Sequence, residues 1–351
     1  MMKMNKLGLL GLLVPFLLTS QLVASLSEVC FYHNTIADGD YIQCGNIKVI
    51  KNTGKQEELS QISNIQIGWN TSLPVLEYGL FNAFEKLSSL FLNNANIEEI
   101  ESRAFFNMEH LQELSLYNNK ISRIELGTFN HLNRLRILNL GQNQIQSLKE
   151  YTFSNLQHLE QLILRWNNIG EVTKTTFNGL SKLKVLDLTG NRLKILHSET
   201  FEGLRRVKSL DLSFNELKEI SPDMFSNQKD LVILNLESNA VNNLPDGLFE
   251  NTINLENLDV SNNKLTHLEE TLLKNTVVEI LKFNRNYITR INATKLLFNA
   301  DYLDEIYFDF NPWNCNSLRN LVRELQQSLV QFGTGTKYDS KYNVHGIECS
   351  N

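Results

Sequence analysis

Much of what common functions require is scarce or missing in this chain. No run of lysine and arginine occurs and the net charge is −6, so the positive stripe that phosphate binding needs is absent and nucleic acid is disfavoured as a partner. The apolar run from Leu7 to Leu18 covers 12 residues, short of the roughly 20 that a membrane span requires. No coiled-coil heptads and no lipid-anchor signal are found. The motifs H-E-x-x-H and G-x-S-x-G and a Gly-rich phosphate loop are also absent. Seven histidines are present, but His110, His131, His158, His197 and His267 only follow array positions. No catalytic residue, no metal site and no cofactor are expected, and the chain reads as a non-enzyme. Cysteines number only four, without C-x-x-C spacing, so a zinc site is disfavoured.

What is abundant is a periodic pattern. Phenylalanines fall at 81, 105, 129, 153, 177, 201, 225 and 249, and asparagines at 119, 143, 167, 191, 215, 239 and 263, every step being 24 residues. One copy contains Phe153, Leu156, Leu159, Leu162, Leu164, Asn167, Ile169 and Val172. Leu162 and Leu164 alternate with polar neighbours, the period of a short strand with one buried face. One strand and its loop cannot bury such side chains alone, so the copies must stack as a solenoid. The asparagine amide both donates and accepts, so it can satisfy turn groups that stacking removes from water. The phenylalanine fills the wide far side. Ala95 replaces the asparagine in one copy, which breaks the ladder unless Asn94 or Asn96 takes over. Counting irregular copies from Ile62 to Asn311, we expect eleven strands and an inner face roughly 50 Å long at about 4.8 Å per strand.

The ends differ in kind. Lys3 and Lys6 before the apolar run, with cleavage after Ala24 or Ser25, predict a secretory signal over 1–24. An amino-terminal cap over 25–58 follows, then repeats over 59–311 and a carboxy-terminal cap over 312–351. In a secreted chain an even set of cysteines reads as disulfides. Cys30 and Cys44 precede the solenoid and Cys315 and Cys349 follow it, so only Cys30–Cys44 and Cys315–Cys349 can close. Leu318, Leu321, Val322, Leu325 and Leu329 predict a helix with one apolar face plugging the last coil.

These copies, with the closing Asn311-Pro312-Trp313-Asn314-Cys315, resemble the extracellular leucine-rich repeat proteins, among them Toll-like ectodomains and the secreted, coil-less immune proteins of insects. The resemblance implies an α/β repeat solenoid, a horseshoe with a parallel β-sheet on its concave face and a cap at each end. It also implies recognition of a protein or a pathogen-associated molecule by the concave face, in innate immunity. Ser317 stands where the family often has a second cap cysteine, which leaves one bridge there.

Residues between the leucines face the concave side. Those columns hold Trp69, Phe91, Tyr117, Arg165 and Trp166, large aromatics and arginine being the side chains that anchor interfaces. They are the candidate ligand-binding residues, although scattered exposed aromatics are also ordinary surface. Phe214 carries less weight, since an aromatic is common before this asparagine. Asp187, Asp211, Glu237 and Asp259 form an acidic line that is either a ligand contact or a scaffold feature. Two glycosylation sequons occur, at Asn70 and Asn292; Asn70 should be consumed by the ladder, and Asn292 should carry the glycan. A structural scaffold that pairs with itself or with another repeat protein is the rival to ligand recognition.

Overall fold

The computed structural model describes residues 30–35, 39–44, 62–67, 72–335 and 342–350, with backbone only over 30–35 and 39–44. Its frame is a 14-stranded sheet in which sequence neighbours are also spatial neighbours. Eleven strands belong to the repeats, from Asn64–Ile67 to Glu305–Tyr307, the number that the 24-residue pattern predicts. All eleven run parallel, with the central leucines in register: Leu138 opposite Leu162, Leu162 opposite Leu186, Leu186 opposite Leu210. Strand Gly39–Cys44 adds in parallel at the amino end, and Cys30–Thr35 pairs antiparallel with it. Strand Gln331–Phe332 closes the other edge.

Most repeat strands are three residues long, and in most of them only the middle side chain is buried. Its two neighbours look onto the inner face, as the pleat requires. The chain then turns inward at the asparagine. Asn167 Oδ1 accepts the Ile145 N–H at 3.0 Å, and its Nδ2 donates to the carbonyls of Leu140 and Leu164 at 3.0 and 2.9 Å. One side chain thus joins two coils and satisfies three buried backbone groups. Successive tight turns return the chain around phenylalanines that are fully buried and stack coil on coil, Phe105 on Phe129 and Phe129 on Phe153 at 6.1 Å between centroids.

At Ala95 neither Asn94 nor Asn96 takes over the ladder. The Leu73 N–H, which in a regular coil would reach an asparagine Oδ1, donates to the Ala95 main-chain carbonyl at 2.8 Å. Asn119 covers the other side of the gap by accepting from both Ala95 N and Ile97 N.

Two helices are described. Helix α1, Ala293–Phe298, lies in the tenth coil, and α2, Cys315–Gln327, forms the carboxy-terminal cap. Asn314 caps α2 by accepting from Asn316 N and Ser317 N, and Leu318, Leu321, Val322 and Leu325 are buried against the last coil. Leu329 departs from the expected stripe. The helix ends at Gln327, and Leu329 follows in a left-handed conformation with 85% of its surface exposed. Trp313 is fully buried and donates from Nε1 to the Phe308 carbonyl at 2.9 Å. Cys315 and Cys349 form the expected disulfide. Ser317, in the place of the missing cysteine, accepts the Ile291 N–H at 3.1 Å instead. Cys30 stands opposite Cys44 in the strand register, but their thiols lie outside the described residues.

Candidate functional site

The site is set by a backbone feature that recurs once per coil. The residue just before each ladder position has a positive φ: Asn94, Asn118, Gln142, Trp166, Gly190, Phe214, Ser238, Asn262, Arg285 and Phe310, at values from 52° to 66°. From Asn94 to Arg285 each donates its N–H to the next coil, as Trp166 does to the Thr189 carbonyl at 2.7 Å and Phe214 to Glu237 at 2.9 Å. The column is thereby fixed by main-chain bonds beyond the end of the strands. Glycine and asparagine suit a left-handed backbone, while a bulky residue there costs roughly 1–2 kcal/mol.

Trp166 and Phe214 accept that cost without the compensation of burial, being 47% and 45% exposed. They sit two coils apart and meet over the coil between them, with centroids 5.8 Å apart and planes at 43°. Gly190 makes this possible, because a β-carbon there would fall 2.3 Å from Trp166 Cε3. In the neighbouring column the arrangement is mirrored. Arg165 reaches back across Gly141, places its guanidinium 5.7 Å from the Tyr117 ring centre, and brings its Cγ to 3.2 Å from where a β-carbon on Gly141 would be. Tyr117, Arg165, Trp166 and Phe214 therefore make one band across five consecutive coils, about 19 Å at the usual strand spacing.

Of the residues expected at the site, the fold brings Tyr117, Arg165 and Trp166 together. Phe91 is half-buried at the end of strand Ser89–Phe91 and aligned with Ser115; among the described residues no ring contact joins it to the band. Trp69 lies outside the described residues. Phe214, weighted lightly on sequence, is a full member. Its signal was the spacing of 48 residues from Trp166 with a glycine halfway.

The acidic line has a scaffold explanation. Asp187 Oδ1 accepts the Thr189 N–H, Asp211 Oδ1 the Ser213 N–H and Asp259 Oδ1 the Ser261 N–H, at 2.9–3.0 Å. Asn139 and Asn235 do the same for Gly141 and Glu237. The acceptor two residues before a turn N–H closes the strand end, and aspartate or asparagine serves equally. Asp211 also accepts from Asn235 Nδ2, and Asp259 lies 3.5 Å from Lys282 Nζ. Glu237 stands apart, its pKa raised by burial and then by Asp259, against the opposing pull of Lys282. Another cationic–aromatic contact, Arg285 over Phe310 at 4.5 Å, borders a cleft of about 720 Å³ between the last coils and the cap. Among the described residues no group of three His, Cys, Asp or Glu side chains is close enough to hold a metal ion, and no helix is long and apolar enough to cross a membrane.

The profile of the leucine rich repeat matches residues 60–121, 85–145, 109–169, 157–217, 183–241 and 205–255, and a second profile of the same repeat matches 254–275. No curated protein matches the chain. Among solved structures, the fold resembles a chain of the Drosophila Toll–Spatzle complex, with TM-score 0.68 and 22% identity over 73% of this chain and 36% of that one. This chain thus spans about a third of that neighbour. An internalin of Listeria monocytogenes gives TM-score 0.57 and 19% identity, covering 82% of this chain and 86% of the other. A chain from the octameric complex of Latrophilin 3, Unc5D and FLRT2 gives 0.60 and 21%, covering 83% and 82%.

Proposed function

This chain belongs to the leucine-rich repeat family, and we propose that it is a recognition module that holds a protein ligand on its concave face, at the band formed by Tyr117, Arg165, Trp166 and Phe214. One observation carries the proposal: Trp166 and Phe214, both in left-handed backbone and both nearly half exposed, meet over Gly190. Strain that burial does not repay concentrates at functional positions, and rigid aromatics with arginine are the side chains that dominate interface energies. Neighbours of the same fold are described in complexes with protein partners, Toll with Spatzle and FLRT2 with Unc5D and Latrophilin 3.

The setting is extracellular in this reading. The Cys315–Cys349 disulfide is of a kind that forms and persists in oxidising compartments. Immune defence is the role that the resemblance implies, and the Toll–Spatzle complex is described as a hub of innate immunity as well as development.

Cross-linking of the protein to its partners in native extracellular fluid, read by mass spectrometry, tests the proposal. The double change Arg165→Ala and Trp166→Ala should weaken capture by more than about 2 kcal/mol, in the hot-spot range. Stability should shift by only about 0.5 kcal/mol, as for surface positions. Unchanged capture by a folded double variant rejects this site. If the mass in solution shows an obligate dimer that the double change leaves intact, the protein is an assembly scaffold instead.

A further inference from the structure

We infer that the partner presents a carboxylate to Arg165 and, displaced along the array towards the carboxy-terminal end, a large apolar side chain to Trp166 and Phe214. This rests on the recognition site proposed above. Several other cations of the array already hold carboxylates: Arg136 and Lys184 both grip Glu160, Lys149 pairs with Glu125, Lys174 with Glu202 and Lys282 with Asp259. Arg165 has none within ion-pair reach among the described residues. Its guanidinium rests against the Tyr117 ring. A guanidinium stacked on an aromatic face keeps its in-plane N–H donors open, and their fork matches a carboxylate.

The surroundings sharpen the match. The strand residues nearest in register, Asn139 and Ile163, carry no charge, and Asp187 spends Oδ1 on the Thr189 N–H. Asp187 keeps its charge in that bond but makes no ion pair with Arg165, so Arg165 is a cation without an anionic partner among the described residues, on a chain of net charge −6. A single cation is far from the stripe that a phosphate polymer needs. Arg165 and Trp166 are adjacent in sequence but lean in opposite directions, Arg165 over Gly141 and Trp166 over Gly190. This divergence separates the charged and apolar subsites and gives the partner a direction.

Phage display of random 12-residue peptides, panned on the immobilised full chain, tests this. The expected winners combine Asp or Glu with an aromatic or large aliphatic residue. Arg165→Glu should cut their retention at least tenfold, and panning on that variant should enrich Lys or Arg instead. Arg165→Gln, which keeps the fold with less perturbation, should lose the acidic preference without gaining a basic one. Winners that lack carboxylates and ignore Arg165→Glu, yet fail on Trp166→Ala, overturn the inference and leave the recognition site standing. Winners that ignore both changes, or no winners at all, overturn both.

Discussion

Trp166 lies over Gly190 so closely that a β-carbon at 190 would stand 2.3 Å from the indole Cε3. Gly190 also has φ +66°, so Gly190→Ala meets two objections, a left-handed alanine and a displaced ring. The backbone part alone should cost about 1 kcal/mol. The indole should leave Phe214 and its fluorescence should move towards that of a solvated tryptophan. The change should vanish in a Trp166→Phe background. An unaltered emission spectrum in Gly190→Ala would show that the ring is not held where we place it.

Leu164 and Asn167 flank the same site but serve the scaffold. Leu164→Ala opens a cavity in a fully buried position and should cost about 2–5 kcal/mol. Asn167→Ala removes almost no apolar area, yet it leaves the Ile145 N–H without its acceptor, while the Leu140 and Leu164 carbonyls each lose one donor and keep Asn143 and Asn191. At about 1–3 kcal/mol for the one orphaned donor, it should destabilise clearly, though by less than Leu164→Ala. Urea unfolding of both variants decides this, and a loss below about 1 kcal/mol for Asn167→Ala contradicts the ladder's energetic role.

Glu237 sets a pH dependence. Its folded pKa is raised above the ordinary 4.5 by burial and then by Asp259, so the folded state binds the proton more tightly than the unfolded chain does. Stability should therefore fall as pH rises from about 4.5 through the raised folded value, and recover on acidification. Glu237→Gln should raise the melting temperature at pH 7 and leave it unchanged at pH 4. The reverse sign would mean that Lys282 and Arg285 outweigh burial at this position.

Asn292 is the sequon that we expect to carry glycan. It is exposed at the start of α1, and its Oδ1 accepts the Lys295 N–H at 3.2 Å. Glycosylation takes place on Nδ2, so the helix cap survives it. Asn70 is expected to stay bare, and it lies outside the described residues. Mass mapping of protein expressed through a eukaryotic secretory pathway, with and without glycosidase, gives the answer, and an unmodified Asn292 would be the failure.

The solenoid was legible because its period is written in side chains that must be buried. Leu162, Leu164, Phe153 and Asn167 each recur for a packing or hydrogen-bonding reason, so the strand count and register followed directly. The left-handed column was only half legible. Asn94, Asn118, Gly190 and Asn262 have the composition of such a position, but Trp166, Phe214 and Phe310 hide it, since nothing in their chemistry asks for positive φ. The binding band needed the third dimension, because Trp166 meets Phe214 two coils away through a gap that only Gly190 leaves. Leu329 fitted a helical stripe by spacing, but the helix ends two residues before it. The acidic line looked like a surface property and turned out to be turn closure at Asp187, Asp211 and Asp259.

The substitution at Ala95 has a mechanical consequence. At the other ladder positions among the described residues an asparagine side chain clamps each coil to the one before it with several hydrogen bonds, whereas Leu73 is tied across the gap by the Ala95 carbonyl. In a stack whose coils touch only their neighbours, the weakest junction decides where opening starts. The amino-terminal coil should peel before the rest, exchanging its amide protons first and yielding first when the two ends are pulled apart. The band from Tyr117 to Phe214 lies wholly on the far side of that junction, so the grip on a ligand outlasts the loss of the first coil.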